Sequence, residues 1–125
     1  MNKGFTLIEA LIALLLLAIT VVGSMAFYFY SNQSTAITVH RRMAVEFANS
    51  ELEGLKNTPY DNIVSKSPAV NITTGNLSEL NGKEEILVAE DVSHNFKQIS
   101  VTITWTEPAS GLGQNLVLNT YIAKR

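Results

Sequence analysis

One carboxylate, Glu9, stands where its chemistry is least comfortable. It fronts the segment KGFTLIEALIALLLLAIT, residues 3–20, which is apolar after it except for Thr20. An ionised carboxylate near the centre of a bilayer costs about 2.5–3.5 kcal/mol and less near the interface, so a membrane carboxylate normally has a partner. The other candidate groups form no constellation. His40 and His94 are the two histidines, there is no cysteine, and no pair has metal-ligand spacing. A lone histidine on a helix or loop reads as a surface residue. Glu84 with Glu85 and Glu90 with Asp91 could in principle take Ca²⁺, but they lack EF-type spacing. They read instead as a solvated strand flank that discourages aggregation. GLG at 111–113 is too short for a phosphate loop and reads as a flexible hairpin tip. Trp105 could stack on a ligand if exposed, yet its place on an alternating apolar face predicts burial. No Ser-His-Asp set or paired-carboxylate set can be assembled. The expectation is a protein that is not an enzyme and needs no cofactor or metal.

The element that positions Glu9 is a long apolar run. No Asp, Glu, Lys or Arg occurs between Glu9 and Arg41, and residues 10–30 are interrupted only by Thr20, Gly23 and Ser24. About 20 apolar residues cross a bilayer core as a helix, and this run is long enough. Tyr28, Phe29 and Tyr30 fall at its far end, where an interfacial aromatic belt is expected. A secretory signal peptide has an apolar region of about 7–15 residues, so this run is too long for one. A plain single-pass anchor fits the length and leaves Glu9 unexplained. Lys3 lies close before the run and Arg41 and Arg42 farther after it, which favours a cytoplasmic N-terminus. The 125-residue chain has a net charge of −2, or −3 without Lys3. That balance argues against nucleic acid as the main partner.

Beyond the run the helical pattern continues. Ile37, Ala44, Ala48, Leu52 and Leu55 share a stripe, with Arg41 as its exception and Met43 and Phe47 at its margin. No proline occurs before Pro59, and NTP at 57–59 is a stop signal. A helix over 5–56 would be roughly 80 Å long, with Gly23 and Ser24 its expected bend or melting point. Residues 58–84, rich in Asn, Ser, Thr and Gly, read as loop. EILVAE at 85–90 reads as a short strand. In FKQISVTITWTE the residues Ile99, Val101, Ile103 and Trp105 alternate with Ser100, Thr102, Thr104 and Thr106, a strand with one buried face. NLVLNTYIAK at 115–124 reads as a further strand after a hairpin-type loop. The predicted fold is α+β: a long N-terminal helix, first transmembrane and then amphipathic, on a small antiparallel sheet of about three strands. The predicted divisions are 1–4, 5–30, 31–57 and a β head over 58–125.

KGFTLIEALIALLLLA resembles the N-terminus of type IV prepilins and type II secretion pseudopilins. The resemblance rests on Lys3, Gly4, Phe5, Thr6, Leu7, Ile8 and Glu9, followed by the uncharged apolar run. It implies a ladle-shaped pilin fold, removal of residues 1–4 by a prepilin peptidase after Gly4, and N-methylation of the new terminus at Phe5. It also implies insertion in a bacterial inner membrane and delivery by an assembly platform into a pilus or pseudopilus with other subunits. The charge on the freed Phe5 amine would then lie four residues from Glu9, on the same helix face. Two roles for Glu9 stay open: capping its own helix and terminal amine, or pairing with the Phe5 amine of a neighbouring subunit, which the family favours. More narrowly, AVEFANSELEGLKNTPYDNI, ISVTITWTE and LVLNTYIA resemble V-type minor pilins and I-type minor pseudopilins. Major pilins usually carry a proline in this stem; Ala26 stands at that place and hints at a minor subunit. Pilus, secretion and competence systems are not distinguished by these residues. The alternative reading is a membrane-anchored binding or adhesion module of a pilus or DNA-uptake system.

Overall fold

The computed structural model describes residues 6–124. Its elements are α1 (Leu7–Lys56), a 3-10 turn (Tyr60–Asn62), β1 (Lys66–Asn71), α2 (Asn76–Glu79), β2 (Lys83–Asp91), β3 (Phe96–Thr106) and β4 (Gly113–Ala123). The chain divides into two compact units, residues 1–36 and 37–125.

Within the first unit α1 begins on Thr6. The Thr6 carbonyl accepts the amides of Glu9 and Ala10 at 3.0 and 3.2 Å. Its side-chain Oγ1 also accepts the Glu9 amide at 3.4 Å, satisfying a donor that a helix start leaves open. The hydroxyls inside the apolar run fold back onto their own helix. Thr20 donates to the Leu17 carbonyl at 2.8 Å and Ser24 to the Thr20 carbonyl at 2.7 Å. Such back-bonding lets hydroxyl groups sit in an apolar segment without outside partners. α1 continues unbroken through Gly23 and Ser24, so the expected melting point there is not found.

In the second unit α1 ends at Lys56, where the NTP stop was read. Asn57 donates to the Glu53 and Gly54 carbonyls, and Thr58 Oγ1 to the Gly54 carbonyl at 2.9 Å, closing the last turn. Ala44, Ala48 and Leu52 are buried at four-residue spacing, with Met43, Phe47 and Leu55 packed at the margin. Ile37, placed on the same stripe, is instead 43% exposed.

The sheet is an antiparallel meander in the order β1-β2-β3-β4. It has four strands, one more than expected. The extra strand, β1, comes from the stretch read as loop, which also contributes α2. β3 shows the predicted alternation: Ile99, Val101, Ile103 and Trp105 are buried and join the helix residues in one core. Fully burying a side chain of this size contributes about 1.5–3 kcal/mol. Ile63, Ile72, Leu77 and Leu80, from the segments between α1 and β2, close the same core. Gly82 joins α2 to β2 where a Cβ would stand 2.6 Å from the Leu77 carbonyl oxygen. No larger residue fits there without backbone movement. The Gly82 amide donates to that carbonyl at 2.8 Å.

Candidate functional site: the apolar stem and its carboxylate

From Leu7 to Tyr30 every side chain of α1 is exposed. Leu, Ile, Val, Phe and Tyr cover all sides of this part of the helix, so there is no polar face to turn to water. The helix is long and apolar enough to cross a membrane, by length and composition. A helix apolar all round is stable only inside lipid or a protein bundle. Tyr28, Phe29 and Tyr30 lie at the end of the run, and Tyr28 meets Phe29 edge to face with ring centroids 6.3 Å apart.

Glu9 sits in the first turn of α1. Its amide is taken by Thr6, and among the described residues its carboxylate has no hydrogen-bond or ion-pair partner. A negative charge in the first turn is favoured by the helix dipole by about 0.3–1 kcal/mol, which offsets only part of the cost of placing it at the front of a lipid-facing run. The processing residues Gly4 and Phe5 lie outside the described residues. The spacing Thr6-x-x-Glu9 is that of a capping box, a helix-start signal that motif reading passed over.

The head carries a second polar arrangement, which local spacing did not reveal. Glu107 is 2% exposed. Its Oε1 accepts the indole N–H of Trp105 at 2.8 Å, and its Oε2 lies 2.8 Å from Nδ1 of His40 on α1. Burial pushes the Glu107 carboxyl upward, but the Trp105 and His40 hydrogen bonds and the His40 charge outweigh it and hold the group below its usual range. His40, expected on the surface, is thus a tie between helix and sheet. Its partner is 67 residues away, so no motif could show it. Only the need of a buried indole N–H for an acceptor gave a hint.

Several other charged groups of this unit are engaged as well. Lys97 is buried on β3 and its Nζ donates to the carbonyls of Tyr60 and Ile63 at 2.8 and 3.1 Å, over the Tyr60 ring at 4.5 Å. Glu84 accepts from Lys66, while Glu85 accepts from Ser67 at 2.7 Å. Glu90 takes the Tyr60 hydroxyl at 3.3 Å, and Asp91 caps the β2–β3 turn through the Ser93 and His94 amides. Successive strand residues point to opposite faces, so the acidic pairs do not converge. Among the described residues no group of three or more His, Asp or Glu is placed to hold a metal ion. The segment 107–112 forms the β3–β4 turn: the Gly111 amide donates to the Glu107 carbonyl at 2.7 Å, and Gly111 takes φ +66°.

Residues 1–25 match a family model described as the prokaryotic N-terminal methylation motif, the type IV prepilin-like signal. The match covers Gly4, Phe5, Glu9 and the apolar run as far as Met25; the sheet lies outside it. Comparisons with curated proteins and with solved structures return no match.

Proposed function

We propose that the chain is a structural subunit, a minor pilin or minor pseudopilin. A prepilin peptidase removes residues 1–4 after Gly4 and the new terminus is methylated on Phe5. The subunit waits in a bacterial inner membrane with its N-terminus cytoplasmic and its head outside. The assembly platform then moves it into a type IV pilus or a type II secretion pseudopilus, at the tip or in priming. It is a substrate of enzymes and not itself one.

The observation that carries this reading is the exposed apolar helix from Leu7 to Tyr30, most of which lies within the methylation motif at residues 1–25. Such a stem leaves lipid only if other stems replace the lipid around it. Helix association in membranes draws on close packing and polar contacts, and Glu9 supplies the polar contact. Its partner is the Phe5 amine of a neighbouring subunit, a charge that exists only after the cut at Gly4. Processing would thereby license assembly.

The test is mass spectrometry of the protein recovered from cells that contain a prepilin peptidase, for the wild type and for Glu9→Ala. The wild type should begin at Phe5 with one added methyl group. Glu9→Ala should still be cut, yet disappear from sheared filament fractions and stay in the membrane. A wild type that keeps Met1 would refute the processing step. Normal assembly of Glu9→Ala would refute the pairing.

A further inference from the structure

The two edges of the sheet are built differently. β1 is short, six residues, and carries Lys66, a proline at 68 and a register irregularity between Lys66 and Val70. Charge, proline and bulges are the devices by which proteins close an edge to foreign strands. β4 has none of them. It is eleven residues long, GQNLVLNTYIA, without a charged residue or a proline, and pairs with β3 in unbroken register from Gly113 to Ala123. Among the described residues no strand other than β3 pairs with it, and none of its residues is buried. Leu116, Leu118 and Ile122 pack only partly against the core, so an apolar row runs out to the open edge.

The sequence of this edge also says what fits it. Residues 115–119 read NLVLN, a palindrome centred on Val117. Two antiparallel copies of β4 aligned on Val117 place like against like. Val117 meets Val117, Leu116 meets Leu118 on the core side, and Asn115 meets Asn119 on the outer face. Opposed residues of an antiparallel pair share a face and lie about 4.5–5.5 Å apart at Cα, close enough for each of these pairs to interact. A two-fold interface requires one surface to complement itself, and an uncharged palindromic strand meets that condition without like charges opposed.

We propose that β4 is a homotypic docking edge, at which the heads of two copies join into one eight-stranded sheet through antiparallel pairing centred on Val117. The two-fold axis of such a pairing is perpendicular to the sheet. The two copies of α1 residues 37–56 therefore run in opposite directions. The contact therefore joins two heads in antiparallel arrangement. It is independent of cleavage at Gly4 and of stem packing, so its failure leaves the assembly role standing.

The chain has no cysteine, so single substitutions report on register directly. The full chain in detergent micelles should give a disulfide-linked dimer with Val117→Cys under mild oxidant. Gln98→Cys, exposed on β3, should not. In the unsubstituted background, Asn115→Asp with Asn119→Asp opposes two carboxylate pairs across the axis on exposed positions. The double variant should be monomeric by light scattering at pH 7 and dimeric again below about pH 4, where aspartate is protonated. Its circular dichroism should match the parent throughout. Equal cross-linking at residues 117 and 98, or a dimer indifferent to the two aspartates at pH 7, would overturn the proposal. So would a monomeric parent across the micromolar range, or pH-independent aggregation in place of a defined dimer.

Discussion

Glu107 shows how a single carboxylate ties a helix to a sheet. Its two oxygens serve two donors, Trp105 from the neighbouring strand position and His40 from α1. Glu107→Ala would leave the buried Trp105 N–H without an acceptor, at a cost of about 1–3 kcal/mol. The pH dependence follows from the lowered folded-state pKa. The folded head binds fewer protons at this site than the unfolded chain, so the pairing stabilises above the unfolded carboxylate range. That contribution is lost as pH falls through it to the depressed folded value. Unfolding by urea, followed through the fluorescence of the one tryptophan, should give a midpoint that falls as the pH drops through and below the ordinary carboxylate range. Glu107→Ala should start lower and lack that part of the decline. An unchanged midpoint in the variant would show that the tie contributes nothing. At this scale the sequence was uneven in what it disclosed. Gly4, Phe5 and Glu9 stand out because the motif they belong to is written in six adjacent residues. His40 and Glu107 do not, because only the folded sheet brings them together.

The elements were legible where burial imposes a period. The stop at Lys56, the Ala44-Ala48-Leu52 stripe and the alternation of β3 all follow from faces turned toward a core. β1 escaped because its residues are all exposed, so it carries no alternation. The ladder to β2 holds it, and a ladder leaves no trace in side-chain type. Ile37 escaped in the opposite sense: it keeps the helical period but stays largely exposed. The stripe itself makes a testable demand. Ala44 and Ala48 are completely buried and belong to the shared core of helix and sheet. Ala48→Leu adds three heavy atoms at a fully buried position. Overpacking of this kind typically costs about 1–3 kcal/mol. Thermal melting of the variant by circular dichroism should show a clear loss, while Ala26→Leu, in the exposed stem, should leave the melting of the head unchanged. Equal stability of Ala48→Leu and the wild type would mean that the helix is not seated on the sheet at that position.

Taken whole, the chain joins two solutions to the problem of apolar surface. Residues 37–125 build a core: Ile63, Ile99, Val101 and Ile103 are almost wholly removed from water, and among the described residues the buried Glu84, Lys97 and Glu107 each have a partner, with Glu84 Oε2 alone left over. Residues 7–30 bury none of their apolar surface. The first unit therefore draws on its surroundings for stability, as lipid or neighbouring helices supply what its own chain does not. The second depends on its own core, with no cysteine to form a disulfide and no metal-ligand cluster among the described residues. This division predicts that residues 37–125, expressed alone, fold in plain buffer. Roughly 90 residues are enough for a cooperative core without staples. The fragment should unfold in a single transition with Trp105 moving from a buried to an exposed emission spectrum, and should need no detergent. The full chain should precipitate when detergent is withdrawn. A fragment that shows exposed tryptophan and no cooperative transition would mean that the stem contributes to the fold of the head as well as to its assembly. The division into a self-sufficient head and a dependent stem would then be wrong.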